Sequence, residues 1–258
     1  MDNFSISLIQ IPTIWESAEQ NRNQVSSLIH NELQHHQDLI LLPEMWTTGF
    51  SMRPEVLAED MDGLSIQWMK AIAKEKDCAI VGSLIIAENS KFYNRLIFAK
   101  PDGNLEYYDK RHCFGLAKED QYFTPGKEKL IVEWRGWRIC PQICYDLRFP
   151  VWSRNVEEYD LLLYVAQFPE KRRNAWLSLL AARAIENVSY VAAVNGVGKD
   201  GNGIVYTGDS GIWDYEGKNS VNLESKHCSA TSLLNKTKQD GFRRAYPFLR
   251  DQDRFDFL

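Results

Sequence analysis

Leu39-Ile40-Leu41-Leu42 is a run of four large apolar residues, preceded by Asp38 and closed by Pro43 and Glu44. A run this short, with no polar residue on either face, reads as a strand buried on both sides, as in the middle of an α/β sheet. Upstream, Phe4 to Ile11 places Phe4, Ile6 and Leu8 in alternation and stops at Pro12, which predicts a first strand. Between the two, Thr13 to Glu16 has the Thr-x-x-Glu form of a capping box, and Val25, Leu28, Ile29 and Leu33 recur at helical spacing. The opening unit is strand, helix, strand.

Downstream the alternation continues. Leu64, Trp68, Ala71, Ile72 and Glu75 outline a second helix, and Cys78 to Ile86 and Phe92 to Ala99 read as strands about a polar turn. A strand from Leu105 to Tyr108 follows the turn at Pro101-Asp102-Gly103-Asn104, and Leu130 to Trp134 with Trp137 to Ile143 predicts a hairpin around Arg135-Gly136. Leu161 to Val165 is another buried strand, led by Asp160 as Leu39 is by Asp38, a weak echo of internal duplication. Trp176, Leu180, Ala184 and Val188 mark an amphipathic helix, Tyr190 to Val194 a strand, Gly196 to Gly217 turns and short strands, and Asn235 to Tyr246 a last helix. No linker or composition break interrupts the pattern, so the expectation is one α/β domain over residues 1–258, with mixed sheets and helices outside.

With 258 residues, 44% hydrophobic and 25% charged, the chain has the balance of a globular protein and the length to bury a large core. Its 30 basic and 35 acidic residues give a net charge of -5, which argues against a nucleic-acid partner. The apolar runs fall far short of the roughly 20 residues of a membrane helix. Five cysteines, an odd and sparse number, together with no visible leader pattern, lead us to expect reduced thiols and a cytoplasmic location.

Three places could carry chemistry. Glu44 stands where a buried strand ends, the usual position of ligands in α/β sheets, and Trp46 and Phe50 could wall it from water as a general base needs. Cys144 follows the strand Trp137 to Ile143 at a sharp turn, where an exposed sulfur near backbone N–H dipoles would favour the thiolate. Cys78, Cys113, Cys140 and Cys228 are expected to be packing thiols. Cys140 and Cys144 lack a second pair at zinc spacing, so no metal site is expected. Asp109-Lys110-Arg111-His112 is either a solvated charge run or a source of an ammonium beside the thiolate, and His112 leaves a Cys–His dyad open. Gly196, Gly198 and Gly201 match a dinucleotide fingerprint, but turn and strand residues follow instead of a helix. Lys171-Arg172-Arg173 reads as a solvated helix start.

Glu44, Lys110 and Cys144, in this order and each just after a strand, resemble the Glu-Lys-Cys set of the nitrilase superfamily of carbon-nitrogen hydrolases. Leu41-Leu42-Pro43-Glu44, Tyr108-Asp109-Lys110-x-His112-x-Phe114 and Ile143-Cys144-Tyr145-Asp146-Leu147-Arg148-Phe149 look like its three motifs. Glu119, before Thr124-Pro125-Gly126, corresponds to its second glutamate, and Arg183-Ala184-Ile185-Glu186-Asn187 to its Arg-Ala-x-Glu-Asn helix. Pro43-Glu44-Met45-Trp46 and the residues after Cys144 look most like the bacterial ω-amidase branch. The resemblance implies a four-layer α-β-β-α sandwich paired as a homodimer, without cofactor, that hydrolyses small ω-amides of 2-oxo acids. It further implies Cys144 as nucleophile, Glu44 as acid and base, Lys110 and the Tyr145 N–H as oxyanion donors, and Glu119 as the partner that holds Lys110. Arg148 would clamp a substrate carboxylate or form a structural salt bridge, and Trp46, Phe50 and Phe114 would line the pocket or pack in the core. Another amidase or an N-carbamoyl amino acid hydrolase of the superfamily is the alternative within the enzyme class, and an inactive scaffold the one outside it.

Overall fold

The computed structural model describes residues 2–253 and 255. In chain order the first half contains β1 (Asn3–Gln10), α1 (Ala18–Glu32), β2 (Leu39–Leu41), α2 (Pro54–Leu57), α3 (Leu64–Lys76), β3 (Ala79–Glu88), β4 (Lys91–Ala99), β5 (Leu105–Asp109) and α4 (Glu119–Tyr122). The second contains β6 (Val132–Trp134), β7 (Trp137–Ile143), α5 (Pro150–Ser153), β8 (Leu161–Ala166), α6 (Arg173–Asn187), β9 (Tyr190–Asn195), β10 (Val197–Lys199), β11 (Val205–Thr207), β12 (Gly211–Trp213), β13 (Asn219–Asn222), β14 (Cys228–Asn235) and α7 (Lys236–Ala245).

Two six-stranded sheets result, ordered β14-β1-β2-β3-β4-β5 and β13-β12-β9-β8-β7-β6, with β10 and β11 forming a separate hairpin. In the first, β1, β2 and β3 run parallel and the outer strands antiparallel; in the second, β7, β8 and β9 do the same. Asp38 and Asp160 occupy equivalent places at the starts of the central strands. The Asp38 carboxylate accepts the Ser5 N–H at 2.7 Å and that of Asp160 accepts the Arg138 N–H at 3.0 Å, each tying its strand to the parallel neighbour.

The apolar residues of β2 divide as a strand buried on both faces requires. Leu39 and Leu41 join Phe4, Ile6 and Leu8 of β1 and Ile139 and Leu161 of the opposite sheet in the interior of the sandwich. Ile40 and Leu42 pack outward with Val25 and Ile29 of α1 and Met69 and Ile72 of α3. On the second sheet α6 contributes Trp176, Leu180 and Ala184. The four layers are helix, sheet, sheet, helix, the nitrilase-type sandwich expected.

Two local expectations fail. Thr13 to Glu16 is no capping box: α1 starts at Ala18 after Ser17, which makes no side-chain cap. Glu16 instead has φ 51° and its carboxylate accepts from Ser51 and Arg53 across the fold. The strand β14 is absent from the sequence reading because Ser229, Ala230, Thr231 and Ser232 carry little apolar signal; its residues pair along all of β1, from Asn3 with Asn235 to Gln10 with Cys228. Among the described residues no helix is long and apolar enough to cross a membrane.

Trp137, fully buried, joins the sheets through Phe4 at 5.3 Å and Tyr190 at 5.9 Å between ring centroids. Trp137→Ala should therefore lower stability by about 3–5 kcal/mol in urea unfolding, and a loss below about 1 kcal/mol would show that the sandwich interior closes over the gap.

Candidate active site

Glu44 leaves β2 through Leu42-Pro43, and Met45 turns the chain with φ 42°, its N–H donating to Ser83 Oγ at 2.8 Å. The Glu44 side chain is fully buried. Its Oε1 accepts Lys110 Nζ at 2.7 Å and Asn94 Nδ2 at 2.8 Å, and its Oε2 accepts the Gln167 backbone N–H at 2.8 Å. The carboxylate thus sits among hydrogen-bond donors instead of aromatic walls. Trp46, expected beside it, projects to the other side of the sheet and packs on Trp68 of α3 at 4.9 Å, in the core under the helices. It does not line the cavity described below.

Lys110 is the first residue beyond β5. Its N–H donates to the Asn94 carbonyl at 3.0 Å and its own carbonyl accepts the Gly126 N–H at 2.9 Å. A side chain at Gly126 would put Cβ 2.1 Å from the Asp109 carbonyl oxygen, so this close approach, which fixes the lysine, needs glycine. The ammonium also donates to both oxygens of Glu119, at 3.0 and 2.9 Å. Burial acts against the ammonium, but the charges of Glu119 and Glu44 prevail and hold the Lys110 pKa well above its ordinary value. Burial, with Glu44 adding to it, raises that of Glu119 although Lys110 opposes the shift. Asn94 donates to Glu119 Oε1 as well, at 3.1 Å, so one amide bridges the two carboxylates.

Cys144 follows β7 with φ 44° and opens a 3-10 turn, Cys144–Arg148. Asp146, buried in this turn, accepts the N–H of Ile143 at 3.1 Å, the Tyr108 hydroxyl at 2.7 Å and the N–H of His112 at 3.0 Å. The Cys144 turn is thereby fastened to the segment that carries Lys110. Contrary to the expectation of an exposed thiolate, Cys144 is only 8% exposed. Burial first, and the Glu44 carboxylate next, push its thiol pKa well above the ordinary value against the pull of Lys110. Burial and the neighbouring Glu44 thus favour the neutral thiol over the thiolate. His112 belongs elsewhere: its Nδ1 lies 2.8 Å from Asp146 and its ring stacks on Phe149 at 3.6 Å, which disfavours a Cys–His dyad. Of the other cysteines, Cys78 and Cys140 are buried as expected, whereas Cys113 and Cys228 are only partly so.

Cys144 opens onto a cavity of ≈ 460 Å³, part of it open to solvent, lined by Phe50, Phe114, Tyr145, Phe168, Ile204 and Tyr206. Phe50 and Phe114 thus stand where expected, and Lys110 Nζ lies 5.2 Å from the Phe50 ring centroid. Arg148 lines the cavity with an exposed head and forms no ion pair among the described residues, so it is not the structural salt bridge of the alternative reading. Arg172, read from sequence as solvated, lines it too. Asn94 and Gln167 were not foreseen: their signal is only a polar residue inside or just beyond an apolar strand. Gly196 to Gly201, in contrast, runs through β10 into a turn, as its sequence context indicated.

The carbon-nitrogen hydrolase family model matches residues 5–227. The chain is 41% identical to an omega-amidase, YafV, of Yersinia enterocolitica, with all of both chains covered. It is 36% identical to a 2-oxoglutaramate amidase of Bacillus subtilis, over 76% of this chain and 78% of that protein. A solved structure from Xanthomonas campestris, described as a CN-hydrolase superfamily protein with an arsenic adduct in the active site, superposes with a TM-score of 0.97 at 42% identity, covering 100% of both chains. Motifs, sandwich and relatives agree that the chain belongs to the carbon-nitrogen hydrolase family and is a hydrolase of the nitrilase superfamily.

Proposed function

We propose that this hydrolase is an ω-amidase, which converts the terminal amide of small 2-oxo acid ω-amides such as 2-oxoglutaramate and 2-oxosuccinamate to the dicarboxylate and ammonia. The observation that carries the reading is the buried Cys144, which opens onto the cavity beside a cluster where the Lys110 ammonium is held by the Glu44 and Glu119 carboxylates. The relatives named omega-amidase and 2-oxoglutaramate amidase support the substrate class.

The mechanism follows from these positions. Glu44 accepts the Cys144 proton as the sulfur attacks the amide carbon. The oxyanion forms against the Lys110 ammonium and the Tyr145 N–H. When the tetrahedral intermediate collapses, the C–N bond breaks, and the proton held by Glu44 goes to the nitrogen, which leaves as ammonia. A thioester remains on Cys144. Glu44 then takes a proton from water as its oxygen attacks the thioester, the C–S bond breaks, and the thiolate recovers that proton. Glu119 keeps Lys110 aimed, while Arg148 meets the far carboxylate. Phe50 and Phe114 exclude water around the chain between them. The product has a second carboxylate, and we assign the working form to a homodimer on the family pattern alone.

Cys144→Ala and Glu44→Gln should each reduce ammonia release from 2-oxoglutaramate by at least about 10³-fold, whereas His112→Ala should retain most of it; a preserved Glu44→Gln enzyme with an inactive His112→Ala one would reverse the assignment. A colorimetric ammonia assay over 2-oxo ω-amides, N-carbamoyl amino acids and nitriles tests the substrate class, and preference for either of the latter two would displace it.

A further inference from the structure

Two arginines line the cavity, and both lack a carboxylate. The side chains of Arg148 and Arg172 make no hydrogen bond or ion pair among the described residues, whereas the neighbouring Arg173 does. Arg173, one residue on, is bidentate to Asp209 at 2.7 and 2.8 Å. Trp176 Nε1 donates to the Asp209 carbonyl at 2.9 Å, so the start of α6 is fixed on both sides of that loop. Arg172, immediately before α6, is held by that anchor while its own head is left for another partner.

The other contacts of the two heads are aromatic faces of the same cavity. The Arg172 guanidinium lies 4.8 Å from the centroid of Phe114, and that of Arg148 lies 5.8 Å from the centroid of Phe168. Stacking on a ring restrains a guanidinium without using its N–H groups, which stay free to form the planar fork that carboxylates accept. Phe114 is itself braced edge-on by Tyr145 at 4.9 Å, next to the nucleophile. Apart from these arginines and the catalytic cluster, the lining is mainly apolar. A ligand suited to it has a reacting group at Cys144, a short hydrocarbon middle and an anionic end.

We propose that Arg172 completes, together with Arg148, a two-guanidinium subsite for the far carboxylate of the substrate, and so sets the enzyme's preference for anionic over neutral amides. The inference rests on the ω-amidase reading and adds to it a residue from the α6 entry that acts on substrate choice. The same pair would bind the dicarboxylate product.

The test compares wild type, Arg172→Ala and Arg172→Lys on 2-oxoglutaramate, on 4-carbamoylbutanoate, which lacks the 2-oxo group, and on neutral pentanamide. In Arg172→Ala the ratio of kcat/KM for an anionic amide to that for pentanamide should fall by about 10- to 100-fold, chiefly through KM, with part of the ratio restored in Arg172→Lys. Protection of Cys144 from iodoacetamide by 2-oxoglutarate, which needs no turnover, should require at least about tenfold more ligand in Arg172→Ala. An equal loss on charged and neutral amides, with or without a lowered thermal midpoint, or unchanged ratio and protection, would overturn the subsite. If wild type cleaves 4-carbamoylbutanoate but not 2-oxoglutaramate, the 2-oxo acid reading fails separately, and Arg172 is judged on 4-carbamoylbutanoate against pentanamide.

Discussion

One ammonium shared by two buried carboxylates is the constraint around which this protein is arranged. Lys110, Glu44 and Glu119 are all 1% exposed or less. Charges taken so far from water each cost several kcal/mol unless paired and fully hydrogen-bonded. The fold meets that requirement from separate elements. The end of β2 supplies Glu44, the end of β5 supplies Lys110, α4 supplies Glu119, and β4 supplies Asn94, whose amide bridges the carboxylates and whose carbonyl holds the lysine backbone. The contacts that close the cluster also aim it. Gly126 packs so closely on Asp109 that the lysine strand end has little freedom, and Asp146 ties the Cys144 turn to the same segment. The stability of the buried charges and the geometry of the site are therefore two consequences of one set of bonds.

The two sheets explain why these residues meet. Each has the same order of one antiparallel edge strand, three parallel strands and two antiparallel strands. Asp38 and Asp160 begin the central strands in the same manner, which gives structural substance to the short sequence echo between them. Glu44 follows the central strand of one sheet and Gln167 that of the other, and the Gln167 N–H donates to the Glu44 carboxylate. Ligand sites of α/β sheets lie beyond the carboxyl ends of parallel strands. Here two such ends face each other across the sandwich: the strands of the first sheet supply the charged cluster, and the second sheet brings Cys144 and Gln167 to it.

This also separates what was legible in the sequence from what was not. The buried strands Leu39–Leu41 and Leu161–Ala166 are apparent because both faces are apolar, and Glu44 stands out at the end of the first; Lys110 follows the half-polar β5 and is singled out only by the family's lysine motif. β14 has alternating small and polar residues on a partly exposed edge, so the pairing that defines it is long-range and leaves little local signal. Trp46 failed for a simpler reason: nearness in sequence to Glu44 says nothing about which face of the sheet receives each side chain. The positive φ of Met45 lies between them, and the two side chains part. Asn94, Gln167 and Arg172 act through partners far away in sequence, and no local pattern distinguishes them from ordinary polar residues.

The neutral state of Cys144 bears on how an acidic protein could accept an anionic substrate. A resting thiolate would add a third negative group to a cluster that has two carboxylates and one ammonium, and the low dielectric would magnify its repulsion of a substrate carboxylate. Burial and the adjacent Glu44 instead favour the neutral thiol, which spares the cluster that third charge. Lys110 stays within the buried cluster, while Arg148 and Arg172 line the cavity onto which Cys144 opens. The positive charge that an anionic ligand would need is thus available locally. The chain's overall charge of -5 has little reach at such a site, because screening in solution limits it to about 8–10 Å, whereas a guanidinium and a carboxylate would meet in direct contact.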